Sequence, residues 1–203
     1  MKVIAINGSP RERGNTYTAL SMACGELEKQ GIETEILHIG NKNIFGCKAC
    51  GGCAKIGKCV FDDGLNEAAQ KVREADGLIV GSPVYYAGIN GTLKSFLDRL
   101  FYTSSASMRF KPAAAVAALR RSGGVNAMEE IYRFFELAEM MITPTRYWSV
   151  VHGRTPGEAE MDGEGMQIAR NIGANMAYLL KMKESADVQP PELEEKVMTN
   201  FIR

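Results

Sequence analysis

No apolar run in these 203 residues approaches the roughly 18 that a membrane-crossing helix needs, and the chain opens on a strand-like run with no basic and apolar leader before it. Neither sign of charge is in excess: Lys plus Arg number 24 and Asp plus Glu number 24, so no global field favours nucleic acid, an anionic membrane or a basic protein. Recruitment of any partner must be local, and the expected location is cytoplasmic. Histidine is scarce, and His38 and His152 stand alone, which reads as structural and leaves no histidine-based metal pattern. Two common phosphate loops are missing as well. There is no G-x-x-x-x-G-K-[ST], and Gly8 with Gly14 do not make G-x-G-x-x-G.

What is present fits an ordinary globular protein, 45 % hydrophobic and 24 % charged, without internal repeats or low-complexity tracts. The length suits one domain, expected over residues 1–182, with a cysteine-rich loop at 41–64. Residues 183–203 are charged and contain Pro190-Pro191, and are expected to form a tail or an arm.

Residues 2–16, KVIAINGSPRERGNT, carry the strongest local pattern. Val3 to Ile6 is an unbroken apolar run of strand length, as for a strand buried on both faces. Asn7, Gly8, Ser9 and Pro10 then form a turn, and Asn15 and Thr16 are expected N-caps for a helix from Tyr17. Such a loop aims backbone N–H groups and a helix N-terminus at one point, which suits a phosphate. Ser9, Asn15 and Thr16 add neutral donors and Arg11 a charged one. The second strand, near 33–39, ends without the acidic residue that holds a dinucleotide ribose, so a single terminal phosphate fits better.

Strand and helix patterns then alternate. A helix from Leu65, capped by Asp62 or Asp63, precedes a third buried strand from Gly77, and a helix with Leu93, Phe96, Leu97 and Leu100 on its core face follows. The fourth strand is the small-residue run from Ala113 to Leu119; a helix near 126–140, a fifth strand within 143–151 and a last helix near 166–182 complete the series. Alternation of this kind implies right-handed crossovers and a parallel sheet covered on both faces.

Two further loops fall at the same sheet edge as the first. Ser82-Pro-Val-Tyr-Tyr-Ala-Gly offers flat aromatic faces with polar tips, and Arg120-Arg-Ser-Gly-Gly offers backbone donors. With strand order 2-1-3-4-5, the loops after the first, third and fourth strands converge where the order reverses. A phosphate site, a site for a flat ring and donors around that ring together specify FMN.

Five cysteines in a chain expected to be reduced suggest metal or redox chemistry, and four of them form Cys47-x2-Cys50-x2-Cys53-x5-Cys59. Gly46, Gly51, Gly52 and Gly57 let the backbone wrap tightly about a compact soft-metal centre. Zinc usually takes two C-x2-C pairs separated by a longer spacer, although zinc and free or disulfide-forming thiols remain alternatives here. Cys24, on the first helix, reads as a small buried hydrophobe.

The motifs GSPRxxxNT, SPVYYAGINGxLKxFLDR and RRSGG resemble those of the flavodoxin-like NADPH-dependent FMN reductase superfamily, and the compact cysteine run is similar to that of its iron-sulfur flavoproteins. The resemblance covers roughly 1–180. It implies an α/β, flavodoxin-like, doubly wound five-stranded parallel sheet (order 2-1-3-4-5) with a cysteine-rich loop insertion. By that resemblance Ser9, Arg11, Asn15 and Thr16 hold the FMN phosphate; Pro83, Val84, Tyr85, Tyr86 and Gly88 border the isoalloxazine; Ser122, Gly123 and Gly124 bond its polar edge; and Cys47, Cys50, Cys53 and Cys59 carry a [4Fe-4S] cluster. The expected function is electron transfer between that cluster and FMN, with ferredoxin or NAD(P)H as donor, a small molecule or protein as acceptor, and a homodimer or homotetramer as the assembly. A cluster-free NAD(P)H-dependent FMN or quinone reductase is the alternative, and a non-enzymatic FMN or metal sensor is the alternative of another class.

Overall fold

The computed structural model describes residues 1–195 together with 197 and 199. Its elements run β1 (Lys2–Asn7), α1 (Asn15–Lys29), β2 (Glu33–His38), the short α2 (Gly52–Ile56), α3 (Leu65–Glu74), β3 (Gly77–Pro83), α4 (Gly91–Ser104), β4 (Pro112–Leu119), α5 (Gly124–Leu137), β5 (Met141–Ile142), β6 (Val150–His152) and α6 (Gly163–Ser185). All named pairings are parallel and the order is β2-β1-β3-β4-β5, with β6 also on β4, the doubly wound flavodoxin-like arrangement.

The apolar runs read as doubly buried strands are so placed. β4 is buried along its whole length: Ala113, Ala115 and Ala117 face one core with α3, α4 and α5, while Ala114, Val116 and Ala118 face the other with α1 and α6. Small side chains at this central position let both helical layers approach the sheet. Helices α1 and α6 also lie very close, since a Cβ on Gly173 would stand 2.2 Å from the Ala23 carbonyl oxygen. The edge strand β2 is only half-buried and carries Glu33 and Glu35, both paired with Lys2, which discourages pairing with another chain at that edge.

Three expectations need correction. The fifth strand is in two pieces, β5 on the start of β4 (Pro112↔Met141) and β6 on its end (Ala117↔Val150). The Thr143 N–H still bonds Ala113 O at 2.8 Å, but Pro144 has no N–H to continue the ladder, and residues 144–148 swing outward before Ser149 O rejoins β4 by accepting from Ala117 N at 2.9 Å. Asn15 and Thr16 lie inside α1 rather than capping it; Gly14 is the N-cap. Likewise Gly64, in a left-handed conformation at φ 86°, precedes α3 in place of Asp62 or Asp63. In the 183–203 segment, α6 runs on to Ser185 and residues 186–195 are exposed and irregular; the final stretch of that segment lies largely outside the described residues.

Candidate functional site

The loop after β1 is built around Asn7, which is fully buried. Its Oδ1 accepts from the Ser9 N–H at 3.0 Å and its Nδ2 donates to Glu12 O at 2.9 Å, while Ser9 Oγ accepts from the Arg11 N–H at 3.2 Å. The His38 Nε2–Ser9 O contact is 2.8 Å, so the lone histidine is structural and holds this loop to the end of β2. Gly40 packs so tightly beneath it that a Cβ there would stand 2.1 Å from Ser9 O. The loop is therefore fixed both by its own side chains and by the segment at the end of β2.

This rigid loop delivers the start of α1. Gly14 gives no side-chain cap, and the first turn's N–H bonding begins at Thr18, which donates to Gly14 O at 3.1 Å. The N–H groups of Asn15, Thr16 and Tyr17 are thus left at an open helix N-terminus, where the helix dipole favours an anion. Thr16 is buried, with its methyl group toward Gly81. Asn15 is partly engaged elsewhere: its Oδ1 accepts from Ala159 N at 3.2 Å, linking α1 to the loop beyond β6. Arg11 is exposed at the lip.

Beyond β3, Tyr85 and Gly88 exchange both backbone hydrogen bonds at 2.9 Å around Tyr86 and Ala87. Both central residues have positive φ, 49° and 63°, the conformation of a tight hairpin turn usually given to Asn or Gly. The turn throws Tyr86 wholly into solvent and leaves Tyr85 about half exposed. Strain of this sort, held by two bonds and by Glu130 Oε2 accepting from Ile89 N at 3.0 Å, marks a shape that the sequence maintains against local preference.

The three loops meet. Asn90 Nδ2 donates to Gly8 O at 2.6 Å, and Asn90 Oδ1 caps α4 by accepting from Leu93 N at 2.8 Å. On the other side Gly123, at φ 88° before α5, lies against the turn, and a Cβ there would come within 2.8 Å of Ala87 Cα and 3.2 Å of Val84 Cγ1. Ser122, Gly123 and Gly124 also line a cavity of about 370 Å³ together with Tyr147, Trp148 and His152. The aromatic pair belongs to the excursion between β5 and β6, and nothing in the sequence pattern had singled it out; its ring centroids are 4.6 Å apart, edge to face.

The cysteine segment is a loop clamped at its base. Asp63 Oδ2 accepts from Phe45 N at 3.1 Å, and the Arg99 guanidinium forks onto Asp63 at 2.5 and 2.9 Å and reaches Phe45 O at 3.0 Å. Burial by itself favours the neutral acid, but the guanidinium and the Phe45 N–H outweigh it and hold the Asp63 carboxyl below its usual range. Asn66 holds Cys59 at both backbone groups, at 2.9 Å each. Between these ties the chain turns through left-handed residues at Ala49, Gly51 and Gly57, and Cys47, Cys50, Cys53 and Cys59 all line one cavity of about 320 Å³. Among the described residues no group of three or more His, Cys, Asp or Glu stands in metal-holding proximity. Cys24 lies apart, buried in α1. Arg99 was not among the expected site residues, although a charge within the Phe96, Leu97 and Leu100 stripe is a visible irregularity.

The NADPH-dependent FMN reductase family matches residues 1–155. An iron-sulfur flavoprotein of Methanocaldococcus jannaschii is 36 % identical over 90 % of this chain and 98 % of its own length, and an iron-sulfur flavoprotein of Archaeoglobus fulgidus is 33 % identical over 100 % and 91 %. Among solved structures, RosB with the bound intermediate 8-demethyl-8-formylriboflavin-5'-phosphate superposes with a TM-score of 0.73 over 100 % of this chain and 96 % of that one, at 16 % identity, a likeness of fold.

Proposed function

We propose that this chain, which belongs to the NADPH-dependent FMN reductase family, is an electron-transfer oxidoreductase of iron-sulfur flavoprotein type, with FMN at the three-loop edge and a [4Fe-4S] cluster on the four clamped cysteines. The carrying observation is the meeting of an uncapped α1 N-terminus, the Tyr85–Gly88 turn and Gly123 at one sheet edge. The residues suit the flavin: the uncapped α1 N-terminus offers a place for one phosphate, and no acidic residue stands at the end of β2 to take a second nucleotide's ribose. They fit the cluster by donor type, since four thiols and no carboxylate line the cavity.

In this reading the N–H groups of Asn15, Thr16 and Tyr17, with Ser9 and Arg11, hold the phosphate; Pro83, Val84, Tyr85, Tyr86 and Gly88 border the ring; and Ser122, Gly123 and Gly124 donate to its polar edge. FMN supplies exchange between paired and single electrons, and the cluster supplies single ones. The protein's own work is to orient and to keep the site rigid. The electron donor is a one-electron carrier such as ferredoxin, or NAD(P)H, and the site is cytoplasmic. Among the described residues no helix is long and apolar enough to cross a membrane. A homodimer or homotetramer is supported by exposed Tyr102 and Leu137, which line the roughly 930 Å³ groove between α4 and α5.

The family's NADPH dependence and the wholly exposed Tyr86 favour a second reading, a cluster-free reductase in which a nicotinamide stacks at the ring. Anaerobically purified protein separates the two. Iron and sulfide near four each per chain, with one FMN identified by mass spectrometry, supports the first reading; one FMN without iron after reconstitution, together with steady NAD(P)H turnover, supports the second; FAD in place of FMN overturns both.

A further inference from the structure

Arg99 is only 1 % exposed, an environment that a guanidinium accepts when its charge and donors are met. Asp63 meets the charge and engages both terminal nitrogens. A further Nη1 hydrogen goes to Phe45 O, and Nε–H, which takes no part in the ion pair, points at Cys59 Sγ at 3.2 Å. Cys59 does not need it for placement either, because Asn66 already fixes its backbone from both sides. A buried cation therefore donates to the sulfur of one cysteine, over and above what anchors either residue.

We propose that Arg99 is a positioning residue that raises the electron affinity of the metal centre held by the four cysteines, acting through Cys59 Sγ. The inference rests on the cluster reading above. When such a centre is reduced, one electron leaves a one-electron carrier protein, which is oxidised, and enters the centre, whose charge becomes more negative by one. No bond or proton changes at Arg99, which stays protonated throughout. An N–H···S bond from a fixed cation stabilises the more negative state more, so it favours reduction, and burial keeps water from screening it. Lys48, Lys55 and Lys58 are exposed and are screened by salt, so they cannot substitute for it.

The test compares the full-length parent with Arg99→Lys and with the double variant Arg99→Gln, Asp63→Asn. The lysine retains a charge opposite Asp63 but has no Nε donor; the double variant removes both charges together, so neither is left buried and unpaired. Each is reconstituted anaerobically, assayed for iron, sulfide and FMN per chain, and titrated for its midpoint potential at fixed pH. Both variants should hold iron and FMN at the parent level while the centre binds its electron at least tenfold more weakly, a fall of about 59 mV for one electron. Unchanged potentials in iron-loaded variants overturn this role and leave the cluster reading intact. Loss of iron from both variants with FMN retained overturns it too, because Arg99 then assembles the site rather than tuning it. A parent that takes up no iron or sulfide overturns the cluster reading and this role with it.

Discussion

Asn90 Nδ2 donates to the carbonyl of Gly8 at 2.6 Å, so the residue that caps α4 also fixes the loop after β1. One side chain thus serves two of the three loops, and both of its bonds are buried. Replacing it with Ala removes a cap, worth about 1 kcal/mol, and leaves the Gly8 oxygen unpaired, a further 1–3 kcal/mol or so. The expected outcome for Asn90→Ala is a fall of about 2–4 kcal/mol in unfolding free energy by urea titration, together with weaker FMN binding. Asn90→Asp, which keeps the cap and loses the donor to Gly8, should recover part of the stability and little of the flavin affinity. Equal recovery of both would show that the Gly8 contact does not shape the loop.

Gly123 and Ala87 give a second pair with opposite expectations. Gly123→Ala forces a side chain into a φ of 88° and to within 2.8 Å of Ala87 Cα, so the loops after β3 and β4 must part. The left-handed conformation alone costs about 1–2 kcal/mol. Ala87→Gly relieves that same cost at φ 63° and should raise stability by up to about 1 kcal/mol. Flavin affinity should fall in the first variant and hold in the second. Denaturant midpoints and flavin titrations read both, and an unchanged midpoint in Gly123→Ala would mean that the contact yields freely.

Much of this organisation is legible in the chain. Unbroken apolar runs announce β1, β3 and β4, and turn residues after each announce the loops, because burial on both faces and left-handed geometry restrict residue choice. The caps were harder: Asp62, Asp63, Asn15 and Thr16 have capping chemistry, yet glycines take the positions, because Asp63 is drawn to Arg99 and Asn15 to Ala159. Those attractions join residues 36 and 144 positions apart, beyond any local pattern. The split of the last strand turns on Pro144, which was readable. That the excursion sets Tyr147 and Trp148 beside Ser122 and Gly123 was not, since it depends on the β4–β6 pairing.

The Asp63–Arg99 pair predicts a specific pH dependence. The folded-state pKa of Asp63 lies below its unfolded value, which is near 3.9, so its contribution to stability is fully present above about pH 4 and is lost as pH falls through the lower folded value. Asp63→Asn removes this limb. The variant should be less stable than the parent at pH 7, and the gap should narrow steadily as the pH falls below 4. Unfolding curves at pH 7, 4 and 3 measure it; a constant gap would show that the carboxylate's charge is not what Arg99 responds to.

The five cysteines should separate by reactivity. Cys24 is buried in α1, and burial pushes its thiol up to about 11, so at pH 8 only about one molecule in a thousand carries the reactive thiolate there. Cys47 and Cys50 are exposed, while Cys53 and Cys59 are half-buried, the latter under Arg99. With metal removed and thiols reduced, native protein treated with iodoacetamide should gain four labels by mass spectrometry, those at Cys47 and Cys50 first and that at Cys59 last, and the fifth only after unfolding. Cys24→Ala should leave this pattern intact and cost about 1 kcal/mol of packing. Rapid labelling of Cys24 in the native state would mean that the α1–α6 layer opens. Equal rates at Cys47 and Cys59 would mean that the Arg99 and Asn66 ties leave the base of the loop as free as its tip.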